Sequence, residues 1–132
     1  MVIVWVFLAV VVLFGAYVRL APSDVGRWHV PPKGELRDKD FQNGAIRVVQ
    51  AGPDGLARMG EIAGGWPRTK LLAGSVAEGM VTYVTRTAFW GFPDYTTVQI
   101  GEGQLVLYAR SRFGRRDMGV NRDRLEAWLK QL

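Results

Sequence analysis

The chain has 132 residues, 17 Lys+Arg against 12 Asp+Glu, a single histidine and no cysteine. That length suits one folded unit, and the composition excludes wholesale disorder, a disulfide scaffold and any thiol or zinc-thiolate chemistry. The 48% apolar content and the +5 charge are unevenly spread, and each has its own location.

Met1 to Val18 reads MVIVWVFLAVVVLFGAYV and carries no side-chain charge. At 1.5 Å per residue, 18 to 20 helical residues span about 27–30 Å, close to one hydrocarbon core. The run is apolar on every face, unlike a surface-lying amphipathic helix. Trp5 and Tyr17 stand near its two ends, where amphipathic aromatics favour the interface. A cleaved signal peptide and a buried core helix are the alternatives. No basic residue precedes the run, Phe14-Gly15-Ala16 is a poor cleavage site, and Pro22 follows Ala21. The reading is an uncleaved single-pass anchor over residues 1–20, with the lipid bilayer as its partner. Arg19, Arg27, Lys33, Arg37 and Lys39 all follow the span, which by the positive-inside rule favours a cytoplasmic domain.

Residues 21–44 read as a connector. Pro22, Pro31 and Pro32 exclude a helix and push the preceding residues toward extended backbone. Trp28-His29-Val30 is its one apolar island. With a lone histidine there is no imidazole pair for a metal site, and docking of Trp28 on the domain or the interface is the favoured reading.

Residues 45–132 read as an α+β domain. Ala45–Val49 is a first strand. Gly52-Pro53-Asp54 opens a helix carrying Leu56, Met59 and Ile62, which Gly64-Gly65 ends. Thr69–Val76, Met80–Thr87, Tyr95–Ile100 and Gln104–Arg110 are β-branched or aromatic runs of strand length. Glu78-Gly79 and Gly101-Glu102-Gly103 are tight hairpin loops, and a longer turn holds Trp90 to Asp94. Short connections imply a four-stranded antiparallel meander. Asn121 is the expected N-cap of a last helix, in which Leu125, Trp128, Leu129 and Leu132 form one apolar face. The expected fold is an N-terminal transmembrane helix followed by a four- to five-stranded antiparallel sheet with helices packed on one side.

Six Arg and two Asp between residues 110 and 124 contribute +4 of the net +5. Arginine in place of lysine favours planar, bidentate pairing. Period 2 puts Val106, Tyr108, Arg110 and Arg112 on one face of the last strand, and Leu105, Leu107 and Ala109 on the other. A loop with Arg115, Arg116 and Asp117 then leads to Asn121 and Arg122 at a helix start, where free N–H groups attract anions. With Asp94 these residues are the candidate anion- or partner-binding set. The competing reading is structural, with Asp94, Asp117 and Asp123 as internal partners of the arginines. Nucleic acid is disfavoured, because aromatics do not interleave with the basic residues.

The segment RSRFGRRDMGVNRDRLEAWLKQL resembles the C-terminal signature of the bacterial family catalogued as domain of unknown function 1499. In that signature a strand end passes through Gly and Asp-x-Gly-x-Asn-Arg into a final helix. The matching positions are Arg110, Ser111, Gly114, Asp117, Gly119, Asn121, Arg122 and Leu125, with Phe92 and Asp94 matching a Phe-x-Asp turn. The resemblance covers residues 45–132. The Cys-Pro-rich beginning of many members is absent, and the anchor followed by APSDVGRWHVPP resembles a proteobacterial branch. The family supplies no catalytic residue to carry over. Its relatives are often envelope proteins, which inclines the domain toward the periplasmic side of the bacterial inner membrane, against the charge rule.

The sequence shows no nucleophile–base spacing, no Gly-rich phosphate loop and no metal-ligand spacing, and so calls for no catalytic residue, cofactor or metal. The expected function is a non-enzymatic membrane-anchored interaction module, such as an accessory or assembly subunit of an inner-membrane complex. The alternative is a domain that binds a small ligand, anion or lipid headgroup, or an uncharacterised enzyme, using residues 110–124.

Overall fold

A computed structural model describes residues 1–132. Helix α1 (Val2–Leu20) is followed by a single turn, α2 (Val25–Trp28). The strands are β1 (Lys39–Phe41), β2 (Gly44–Gln50), β3 (Thr69–Ser75), β4 (Met80–Arg86), β5 (Pro93–Gly101) and β6 (Gln104–Ser111). Helix α3 (Gly55–Gly64) links β2 to β3, and α4 (Val120–Gln131) ends the chain.

All strand pairs are antiparallel, in the order β1-β2-β6-β5-β4-β3. The meander lies where its hairpin signals put it. At the β5–β6 loop, Glu102 and Gly103 both adopt positive φ, the backbone of a two-residue turn that matches strand twist. The sheet has six strands, not four to five. The sixth is β1, within the stretch read as a connector. Lys39-Asp40-Phe41 is too short and too charged to show alternation, and its pairing with β2 makes it a strand.

The two faces of the sheet are covered differently. One packs on α3 and α4. Ala45, Val81, Tyr83, Val98, Leu105 and Leu107 meet Leu56, Met59, Leu125 and Trp128 in one buried cluster. The period-2 reading of β6 put Leu105, Leu107 and Ala109 on this side, as observed. The opposite face carries Tyr95, Thr97, Tyr108 and Arg110, and the segment after α1 lies across it. Trp28 is buried there and stacks on Tyr95, with ring centroids 4.1 Å apart. Asp24 caps the short α2 turn by accepting from the Gly26 N–H. Residues 22–29 therefore form a third layer.

Helix α1 carries no charge before Arg19, and most of its length is exposed. Its last turn is the exception: Val18 is buried, and its carbonyl accepts from Arg86. Helix α4 begins at Val120, one residue before the expected cap. Gly119 holds the cap position at φ 79°, where any side chain would be strained and an added Cβ would meet the Arg122 guanidinium.

Candidate functional site

The arginine-rich segment divides into an inward set and an outward set. Arg110 projects from β6 onto the outer sheet face and is buried. Its guanidinium donates to Thr97 Oγ1 at 2.8 Å, to the Tyr108 carbonyl at 3.0 Å and to the Trp28 carbonyl. It lies 4.2 Å from the Tyr108 ring centroid and 5.6 Å from that of Trp28. Arg110 has no carboxylate within ion-pair reach. Burial pulls it down to about 10, opposed by Tyr108 and Tyr95. Arg112, next on the same face, donates to the Pro22 carbonyl at 3.1 Å and to Tyr95 Oη at 3.4 Å. The Tyr95 hydrogen bond holds Arg112 above its ordinary value.

These two arginines bind the chain's own backbone. Together with Ser23 Oγ···Tyr95 Oη at 2.6 Å and His29 Nδ1···Thr82 Oγ1 at 2.8 Å, they fasten residues 22–29 to the sheet. A polar line runs through this face from His29 to Thr82, Thr97 and Arg110.

A second network lies under the N-terminus of α4. Asp94 is buried in β5 and accepts from Arg124 Nη2 at 2.8 Å. Arg124 Nη1 donates to Asn121 Oδ1 at 2.8 Å. Asn121 is fully buried, and its amide donates toward Ser111 Oγ and Asp117 Oδ2, each at 2.9 Å. Asp117 Oδ1 accepts from the Gly119 N–H at 2.9 Å, and Oδ2 accepts from the Asn121 N–H at 3.1 Å. The carboxylate of Asp117 thus occupies the place at the helix N-terminus that an external anion would take. Burial raises the Asp94 carboxyl above its usual range, Arg124 opposes that, and Asp117 adds to it.

The outward set is Arg115, Arg116 and Arg122, all exposed. Arg122 pairs with its neighbour Asp123 at 3.0 Å, while Arg115 and Arg116 have no carboxylate partner within 4.0 Å. Arg116, Asp117, Arg122 and Asp40 border one open hollow between β1 and the start of α4. The structure therefore brings Asp94, Asp117 and Asn121 into one network, puts Arg110 and Arg112 in another, and leaves Arg115, Arg116 and Arg122 at the surface.

Sequence reasoning passed over Arg124 as a site residue. The signal was there: Arg124 is four residues before Trp128, on the apolar stripe of α4, and a cation there needs a buried partner. It also passed over the contacts that join α1 to the domain. Arg86 donates to the Val18 carbonyl at 3.2 Å and the Gly91 carbonyl at 2.8 Å, and Arg19 donates to the Phe89 carbonyl. Phe14 meets Trp90 and Phe92, and Tyr17 meets Phe113. These residues lie far apart in the chain, and no spacing rule joins them.

No curated protein and no solved structure matches the chain. The family described as "Protein of unknown function (DUF1499)" matches residues 30–132. That match takes in all six strands, α3, α4 and the whole arginine-rich segment, and the chain belongs to this family.

Proposed function

We propose that this protein is a non-enzymatic module anchored in the bacterial inner membrane by α1, acting as an accessory or assembly subunit of a membrane protein complex. The observation that carries this reading is where the polar chemistry goes. Arg110, Arg112, Asp94, Asp117, Asn121 and Arg124 spend their hydrogen bonds on the chain itself. Arg110 and Arg112 fasten the segment that follows α1 to the sheet, the Asp94–Arg124–Asn121–Asp117 network fastens α4 to it, and Arg19 and Arg86 hold the end of α1. Such fastening suits a part that must be held in place, and the uncovered surface of α1 suits lipid or neighbouring helices. The side of the domain is where charge and family resemblance disagree, and we take the periplasmic side. A C-terminal reporter active only in the periplasm decides it.

Purification of the full chain in mild detergent tests the main reading. A partner retained in fixed stoichiometry supports it, and a lone monomer from native membranes counts against it. A second reading is favoured by Arg115 and Arg116, which are exposed and unpaired: the loop binds an anion or a lipid headgroup. That reading now rests on these two residues and Arg122, because Asp117 already fills the helix N-terminus.

A further inference from the structure

The β4–β5 turn carries Phe89-Trp90-Gly91-Phe92 and packs against the side of α1. Phe14 lies 6.3 Å from Trp90 and 6.2 Å from Phe92 between ring centroids. A Cβ built on Gly15 would meet the Trp90 ring at 3.6 Å. Phe113, at the end of β6, touches both Tyr17 and Phe92. Phe89 is 77% exposed at the tip of the turn, though its carbonyl is held by Arg19.

The depth of this cluster follows from the length of the helix. The 19 residues of α1 extend about 28 Å, barely the thickness of a hydrocarbon core of about 30 Å. Phe14 and Gly15 lie about 8 Å of helix before the Leu20 end of that span. With α1 filling the core they lie below the boundary, and the turn packed on them lies with them.

Basic groups ring the same spot. Arg19, Arg68, Lys70 and Arg86 border a hollow between the end of α1 and the outer strands. None has a carboxylate partner within 4.0 Å, and no acidic residue lines the hollow. Arg19, Arg68 and Arg86 each donate to a backbone carbonyl, which holds them in place and leaves their charge uncompensated. Aromatic rings at the boundary with such cations beside them match the layering of an anionic bilayer surface.

We infer that this end of the sheet is a second membrane-contact surface. Phe89, Trp90, Phe92 and Phe113 enter the bilayer beside α1, and Arg19, Arg68, Lys70 and Arg86 meet the phosphates of anionic phospholipids. The domain then rests on the membrane in one fixed orientation. The inference rests on α1 being a membrane anchor, as proposed above.

The chain has no cysteine, so single nitroxide labels report cleanly. Phe89→Cys tests the turn, Leu13→Cys tests the anchor, and Val76→Cys marks the opposite end of the sheet. All three positions are exposed, so labelling spares the core. The full chain is reconstituted in phosphatidylethanolamine vesicles containing phosphatidylglycerol, and each label's relaxation is compared under oxygen and under a water-soluble nickel chelate. The expected result is oxygen-dominated relaxation at positions 13 and 89 and nickel-dominated relaxation at 76. A position 89 label that behaves like 76, with 13 in lipid, overturns the seat and leaves the anchor intact. Labels at both 13 and 89 in water overturn the anchor and the seat together.

Discussion

Trp28→Ala tests whether residues 22–29 are a layer of the fold or a loose tether. Trp28 is 7% exposed, stacked on Tyr95 and flanked by the Arg27 and Arg110 guanidinium groups. A buried tryptophan removes roughly 150–250 Å² from water. At about 25 cal/mol per Å² that is about 4–6 kcal/mol, before subtracting what alanine retains and what the unfolded chain already buries. The stack on Tyr95 adds about 1 kcal/mol. The expected loss is about 3–5 kcal/mol, in line with aromatic-to-alanine changes in cores. For a domain of this size that lowers Tm by about 10–15 °C. The assay is thermal unfolding of the full chain in micelles, with limited trypsin digestion alongside. The variant should be cut after Arg27 and Lys33 well before the sheet is lost, and the wild type should not. A Tm change under about 3 °C with equal cutting in both proteins would refute the layer and leave a flexible tether.

Three further outcomes follow from the networks. Arg124→Met strands the Asp94 carboxylate in a buried site, with an expected loss of about 3–5 kcal/mol at neutral pH. The Asp94 value is raised in the folded chain, so its contribution is fullest below the ordinary carboxylate range and fades as pH rises through the raised value. The loss in Arg124→Met should therefore shrink on acidification, which unfolding curves across pH will show. Asp117→Ala removes the cap of α4 at a cost of about 1–2 kcal/mol, and Asp117→Asn should cost less because it keeps an acceptor. Replacing Arg115 and Arg116 together by alanine should leave Tm within about 2 °C of wild type, as for an exposed loop, while any anion binding seen by calorimetry is lost.

Much of this fold is written in local pattern. Hairpin loops at Val76–Gly79, two residues longer than the tight Glu78-Gly79 turn expected, and at Glu102-Gly103 space the strands, and the alternation of Leu105, Leu107 and Ala109 sets which face is core. Strand β1 is illegible because three residues with two charges carry no period, and only pairing with β2 defines it. The start of α4 lies two residues earlier than the sequence suggests, because Asn121 has the chemistry of a cap yet here is a buried hub serving Arg124, Ser111 and Asp117. Cap preference is local, whereas the partners that bury Asn121 are distant in sequence: the Asn43 carbonyl in the β1–β2 turn accepts from its amide, and Ser111 at the end of β6 does too. The arginine cluster was legible as a cluster but not as two sets. Which arginine turns inward depends on where Trp28 and Pro22 cross the sheet, a contact between residues more than eighty positions apart.

The most direct test of the account is the state of α1 in the native membrane. Membranes from the native host are washed with alkaline carbonate, and the N-terminal peptides of the retained protein are identified by mass spectrometry. The expected result is a carbonate-resistant protein that keeps residues 1–20. A soluble protein that begins near residue 20 would contradict it, since the joint built by Arg19, Arg86 and the aromatic turn would then hold nothing.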